Sequence, residues 1–504
     1  MFSAPRLAYS LLAPILVVLG GALIGVLVEA FLTESIRRFT QILLTLVTLV
    51  VALFQLFMVR NRESSVAAVT SVSIDKAGIF IQGTIIILAI IGVLLIADQD
   101  NFTAQASAIP GSSAEAAAVI TGKVQTEVFP LTLFAVAGAM LFPVATDFIT
   151  LFVALEVLSL PLYLMAGLSR RRRLLSQEAA LKYFLLGAFS SAFFLFGGAF
   201  LYGYSGSLQL NGFYDAIYGS GGNDVFLLIG LIFMSIGLLF KVGAVPFHNW
   251  TPDVYQGAPT PITGFMAAVT KVAAFGAMLR IFYAGFEADA WHWQPIIGAI
   301  AVITMIFGAF AAIGQRDIKR ILAFSSIAHA GYLLTAVVAL NQGALAASLF
   351  YFMVYGLATL GAFAIVTLIR DSAGEVTDVN RWAGLGKKSP LVAIIFTLFL
   401  LSFAGIPLTA GFVGKLSLFT AAYATGHTYL VIAGVLSSAI AVFFYIRIAL
   451  ILFFTDSKSD SVSVVIPSFL TQIAIAISAI ATLIFGIAPS LLLNTAVSFA
   501  QFLR

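Results

Sequence analysis

Between Asp224 and Lys241 the chain runs through sixteen residues, from Val225 to Phe240, without a charge. Apolar runs of this kind recur from one end of the sequence to the other. About 20 apolar residues suffice to cross a bilayer as a helix. In lipid, only helices and closed barrels satisfy every backbone group. With 61% hydrophobic and 10% charged residues, the chain lacks the polar surface that a soluble domain of its length needs. The sequence therefore reads as an all-α polytopic membrane protein.

Fourteen spans are expected, over residues 8–30, 38–59, 75–97, 127–145, 147–168, 177–204, 224–248, 260–284, 292–314, 317–340, 342–369, 390–424, 427–454 and 464–492. The apolar N-terminal stretch is read as a retained first helix rather than a cleaved signal. The twelfth span is too long for one straight helix. It contains Gly405, Pro407, Gly411 and Gly414, so it is expected to be broken. The seventh is interrupted by Gly243 and Pro246. The segment 98–126 is rich in Ala and Ser and reads as a loop external to the bilayer.

Lys and Arg are distributed unevenly between the loops. Odd-numbered loops hold 15 of them, including Arg37, Arg38, Lys123, Arg170 to Arg173 and Lys458; even-numbered loops and termini hold 5. The positive-inside rule then places odd loops in the cytoplasm and both termini outside. The net charge of +4 reports this asymmetry and implies no nucleic-acid partner. With no cysteine, thiolate metal sites, iron–sulfur clusters and disulfides are excluded from the chain, and the four histidines show no metal-ligand spacing.

The chemistry is expected where charge is expensive. Glu156, Lys241, Lys271 and Lys415 lie well inside spans, joined by His329 in span ten and His248 just beyond Pro246. A charge at membrane depth is a functional-site hypothesis by default. Lysine, glutamate and histidine can exchange a proton, whereas arginine keeps its own. A carboxylate ~4 Å from an ammonium at an effective dielectric of ~20 gains ~4 kcal/mol. Moving a proton against 100 mV takes about 2.3 kcal/mol. A Glu156–Lys241 ion pair, made and broken, is therefore expected to suffice for a proton step. Elsewhere structural readings prevail. Lys182 sits four residues after Glu178, an i,i+4 pair. Arg280 and Arg447 lie within snorkelling reach of span ends, and Asp147 and Asp253 suit capping or solvation.

Spacing suggests a repeat. Glu156 precedes Lys241 by 85 residues, and His329 precedes Lys415 by 86. Two units of five spans each would have opposite orientations, the architecture of ion-coupled transporters. The expected organisation is a three-helix segment and loop over 1–126, repeats over 127–284 and 285–454, and a last helix in 455–504.

Several stretches resemble one family. They are Ala154-Leu155-Glu156-Val157-Leu158-Ser159-Leu160-Pro161; Glu178 to Gly187; Lys241 through Pro246-Phe247-His248 to Trp250-Thr251-Pro252-Asp253-Val254-Tyr255-Gln256-Gly257; Asp317-Ile318-Lys319-Arg320 to His329; and Gly405-Ile406-Pro407 to Lys415. Together they resemble the antiporter-like membrane subunits of respiratory complex I (NADH:quinone oxidoreductase), in particular subunit N. The resemblance implies broken helices 7 and 12 and a proton axis of Glu156, Lys241, Lys271, His329 and Lys415. It also implies that NADH, FMN, iron–sulfur clusters and quinone belong to partner subunits, with no cofactor in this chain. The implied neighbours are an M-type antiporter-like subunit and small K-, J- and A-type subunits, in a bacterial cell membrane. The M-type paralogue and the multi-subunit sodium/proton antiporters are the alternatives.

Overall fold

The computed structural model describes residues 7–98, 125–168, 173–219, 224–371, 374–456 and 462–503. The 98–126 segment lies largely outside the described residues, as do Arg6, Lys123, Arg170 to Arg172, Lys458 and Arg504. Among the described residues, twelve helices are long and apolar enough to cross a membrane. A shorter fourth span, Val128–Val144, and a two-part twelfth, Pro390–Ala404 and Ala410–Ala424, bring the total to fourteen.

Short polar side chains set where spans begin. Asp75 caps span three by accepting from Gly78 N at 2.8 Å, Asp147 caps span five through Thr150 N at 2.8 Å, and Asp317 caps span ten through Lys319 N at 2.9 Å. Each satisfies a donor that the first helical turn leaves free. Spans eight (Thr260–Gly285), ten (Ile318–Ala339) and eleven (Gln342–Leu368) form the centre and are buried on nearly all sides. They are also the spans that bring Lys271, Arg280, His329, Tyr351 and Tyr355 inside. Spans one, two, six, nine, thirteen and fourteen surround them with exposed apolar faces, including Phe39, Phe54, Phe189 and Phe310.

Loop contacts sort by parity. On one face, strand β1 (Ser65–Ala67) pairs with β2 (Val72–Ile74), Val72 bridges Ala145, and Asp147 bridges Gln209, joining loops two, four and six. On the other, β3 (Ile369–Asp371) pairs with both β4 (Gly374–Glu375) and β5 (Ser463–Val464), and Asp317 bridges Asp378, joining loops nine, eleven and thirteen. Fourteen crossings require this segregation.

The repeat is visible in matched contacts. A Cβ on Gly138 of span four would lie 2.3 Å from Leu158 N of span five. A Cβ on Gly308 of span nine would lie 2.6 Å from Ala328 N of span ten. Leu158 and Ala328 each stand eleven residues after their capping aspartate, Asp147 or Asp317, and those caps sit on opposite faces. The two units are thus inverted. This register corrects the lysine spacing. Nine residues after the cap, Glu156 corresponds to Ser326; twelve after it, Ser159 corresponds to His329.

Both expected breaks are present. Helix seven stops at Val242 and resumes as the half-helix Trp250–Gly257, beyond the expected end at 248. Gly243 at φ +74° and Gly405 at φ +81° end the first halves in the left-handed conformation. Ala244 N donates to Leu239 O at 2.9 Å and Ile406 N to Leu401 O at 3.0 Å, so both ends close as Schellman caps. Remaining backbone donors find side chains: Val245 N uses Thr304 Oγ1 at 3.1 Å, and Gly411 N uses Ser402 Oγ at 3.1 Å.

Candidate functional site

The titratable residues inside the fold are held by hydroxyls and carbonyls. Lys241 and Lys271 are 5% exposed, Lys415 4% and His329 2%, so each depends on protein partners. Lys241 is the penultimate residue of the first half of helix seven, where the helix dipole favours a cation. Its Nζ donates to Ser159 Oγ at 2.7 Å and approaches Tyr183 Oη at 3.4 Å. The expected direct Glu156–Lys241 ion pair is not made: Glu156 Oε1 is buried without a hydrogen-bond partner. Ser159, one turn along span five from Glu156, takes the ammonium instead.

Lys415 reaches a similar place by another route. It belongs to the second half of helix twelve and points back across the break, donating to Ala404 O at 3.1 Å and Ser438 Oγ at 3.2 Å. Ala404 is the last residue of the first half. Both lysines therefore serve the C-terminal end of a first half-helix, from opposite sides of their breaks. The Lys415 ammonium also stands 4.6 Å over the Tyr332 ring, a cation–π contact worth about 2 kcal/mol when desolvated.

Lys271 and His329 lie between these ends. Lys271 Nζ donates to Ser326 Oγ at 2.6 Å and Ser326 O at 2.5 Å. The Tyr255 and Tyr355 hydroxyls lie beside Ser326. Tyr355 packs on His329 with ring centroids 4.8 Å apart, and His329 Nδ1 is 2.5 Å from Tyr351 Oη. His329 also meets Tyr332 at 5.3 Å, which leads to Lys415. On the other side, Tyr183 stacks on Trp250 at 4.7 Å, and Trp250 meets Tyr255 edge-on at 6.4 Å. The six candidates divide accordingly. Lys241, Lys271, His329 and Lys415 fall on one connected line, and Glu156 sits beside its first member. His248 turns to span nine, packs edge-on to Phe307 at 4.7 Å, and leaves Nδ1 buried without a partner.

The groups that connect this line, Ser159, Tyr183, Ser326, Tyr332, Tyr351 and Ser438, are not conspicuous in the sequence. A polar residue one helical turn from a buried charge, as Ser159 is from Glu156 and Ser326 from His329, was the available signal. Two charged residues are placed differently from expectation. Arg280 does not snorkel. It is fully buried and grips Asp75 with two hydrogen bonds, at 2.8 and 2.9 Å. Asp253 is not merely solvated: it accepts from Lys182 at 2.6 Å and from Arg320 at 2.7 Å. Lys182 also pairs with Glu178 at 2.6 Å, as the i,i+4 spacing implies. Arg447 stays near a span end by capping span nine, through Ile313 O at 2.9 Å and Gln315 O at 3.0 Å. Among the described residues no cluster could hold a metal ion.

Inverted units, broken helices and buried lysines define the class of antiporter-like membrane subunits. Residues 145–441 match the family model described as NADH:quinone oxidoreductase/Mrp antiporter, TM. NADH-quinone oxidoreductase subunit N of Rhodococcus opacus is 52% identical, with 99% of this chain and 97% of that relative covered. The Mycobacterium bovis subunit N is 49% identical, with 99% of both covered. A chain of respiratory complex I from Thermus thermophilus superimposes with a TM-score of 0.79 at 30% identity, covering 96% of this chain and 99% of that one. A chain of the Mrp complex from Dietzia shares the fold, with a TM-score of 0.81 at 21% identity over 98% of this chain and 97% of that one. The chain belongs to the NADH-quinone oxidoreductase subunit N family.

Proposed function

We propose that this chain translocates protons as subunit N of a bacterial NADH–quinone oxidoreductase, along the line Lys241, Lys271, His329 and Lys415, with Glu156 biasing the first step. The observation that carries the reading is the run of buried lysines and histidine, each touching a hydroxyl or an aromatic ring on the way to the next. A hydroxyl can accept one proton while donating another, so Ser159, Ser326, Tyr332 and Ser438 suit the positions along the line. Through Trp250 the contact is ring to ring, so a proton passing there would need water to carry it. Electron transfer belongs to partner chains: NADH, FMN, iron–sulfur clusters and quinone bind elsewhere, and the driving change arrives through the M-type and small K-, J- and A-type membrane subunits. The chain sits in the bacterial inner membrane with both termini outside.

The test uses the intact complex in sealed vesicles. Lys241→Ala and Lys415→Ala are each expected to lower protons moved per NADH oxidised severalfold, with the assembled complex present and sodium omitted. Wild-type stoichiometry in both variants would refute the line. Pumping that requires sodium would point to the cation/proton antiporter alternative.

A further inference from the structure

Span eight is not a uniform helix. Its α-helical middle, Lys271–Arg280, is bounded by two π-helical turns, Met266–Thr270 and Ile281–Gly285. A π turn carries an extra residue per turn and is seen mostly as a local bulge, often at functional sites. Two such turns isolate a ten-residue rod inside the most buried part of the protein.

The rod is held at its two ends and on its two faces. Lys271 at one end reaches Ser326 of span ten. Arg280 at the other end donates to both carboxylate oxygens of Asp75 and, at 2.5 Å, to Pro143 O. Nine residues separate them, which is about 13 Å along the axis and about 180° around it. Rotation or sliding of the rod therefore cannot leave either contact unchanged. The Asp75 end is itself anchored. Its carboxylate caps span three at Gly78 N, accepts from Ser73 Oγ at 2.7 Å, and accepts from Leu503 N at 2.9 Å. The Phe502 ring lies 4.6 Å from the guanidinium carbon. Gly276, in the middle of the rod, allows close approach to span three and Pro143: a Cβ there would meet Pro143 at 2.9 Å and Ile81 at 3.1 Å.

We infer that Asp75 and Arg280 are positioning residues for Lys271: their buried ion pair, closed over by the segment Ala500–Leu503, fixes the rotation of the Lys271–Arg280 rod and so the placement of the Lys271 ammonium on Ser326. This rests on the reading of Lys271 as a member of the proton line. The pair touches no proton carrier. Its five donors leave the Asp75 carboxylate fully engaged, which suits an anchor and not a relay.

Removing one partner of a buried ion pair strands the other, so the test replaces both. Double replacement by well-packed apolar residues of similar volume is often neutral or stabilising. The complex carrying Asp75→Leu with Arg280→Met is compared with wild type, Arg280→Lys and Lys271→Ala. Each is assayed in vesicles for protons moved per NADH across a pH series, and the assembled complexes are imaged for the Lys271–Ser326 contact. The double variant is expected to oxidise NADH, to pump severalfold fewer protons per NADH, and to show an altered pH profile and a lengthened Lys271–Ser326 distance. Arg280→Lys keeps the cation but loses the two-pronged grip, and is expected to fall between the double variant and wild type. Should the double variant fail to assemble, Arg280→Lys decides by the same readouts. A wild-type ratio, profile and Lys271–Ser326 contact in the variants, alongside a loss in Lys271→Ala, would overturn the positioning role alone. A wild-type ratio in Lys271→Ala would overturn the proton line on which it depends.

Discussion

Ser159 changes the account of Lys241 more than any other single residue. The ammonium is answered by a hydroxyl and a phenol, and the nearby carboxylate keeps a free buried oxygen. A hydrogen bond to a charged group contributes about 1.5–3 kcal/mol. Ser159→Ala is therefore expected to impair pumping at least as much as Glu156→Gln, with normal assembly, measured as protons per NADH in vesicles. A wild-type ratio in Ser159→Ala beside a loss in Glu156→Gln would return the hold on Lys241 to the carboxylate. Charged residues were legible in the sequence because membrane depth makes charge conspicuous. The serines and tyrosines that connect them were not, since such residues also occur in spans as packing and cap elements. Arg280 is hidden for a related reason: nearness to a span end suggests snorkelling, whereas its partner Asp75 lies 205 residues away and only the folded chain brings them together.

At the scale of elements, the breaks were legible and their detail was not. Gly and Pro in otherwise apolar runs marked helices seven and twelve, since neither residue continues a helix at little cost. The half-helix Trp250–Gly257 was hidden by its polar, loop-like composition, and the π turns of span eight by a run of small apolar residues without a pattern break. The glycines at the breaks are constrained. Gly405 has a positive φ, and a Cβ there would lie 3.0 Å from the Lys415 side chain. An ordinary residue in that backbone conformation costs roughly 1–2 kcal/mol. Gly405→Ala is expected to lower both assembled complex and pumping, whereas Gly20→Ala, with nothing within 4 Å of the added carbon, is expected to change neither. Native gels and vesicle pumping assays check both, and an unaffected Gly405→Ala would show that the break tolerates a side chain.

For the whole molecule, the number of spans followed from hydropathy, and nearly every boundary falls within a few residues of its expected place. The repeat was also foreseen, but its register was not. Lysine spacing aligned Glu156 with His329, while the capping aspartates and the close glycine crossings align Glu156 with Ser326. Helix breaks of different construction make lysine positions a poor ruler. Parity of the loop contacts fixes which loops share a face, and the charge count predicts which face meets the cytoplasm. The absence of native cysteine in this chain makes that assignment simple to check. Arg62→Cys, exposed in loop two, is expected to react with an impermeant maleimide from outside; Lys387→Cys, exposed in loop eleven, is expected to react only after the membrane is opened. The reverse pattern would invert the whole chain.

The two lysines at the breaks have unequal mechanical duties. Lys241 grows from the half-helix whose end it neutralises, so its charge can come and go without loosening any join between the halves of helix seven. Lys415 is rooted in the second half of helix twelve and fastened to the last carbonyl of the first. Its ammonium is a strap across the gap. A neutral amine keeps two N–H donors, so loss of a proton would weaken the Lys415 strap rather than remove it, whereas the same loss at Lys241 would touch no join between the halves of helix seven. The tie between half-helices thus hangs on a titratable group in helix twelve and on an indole, Trp250 Nε1 to Phe240 O, in helix seven.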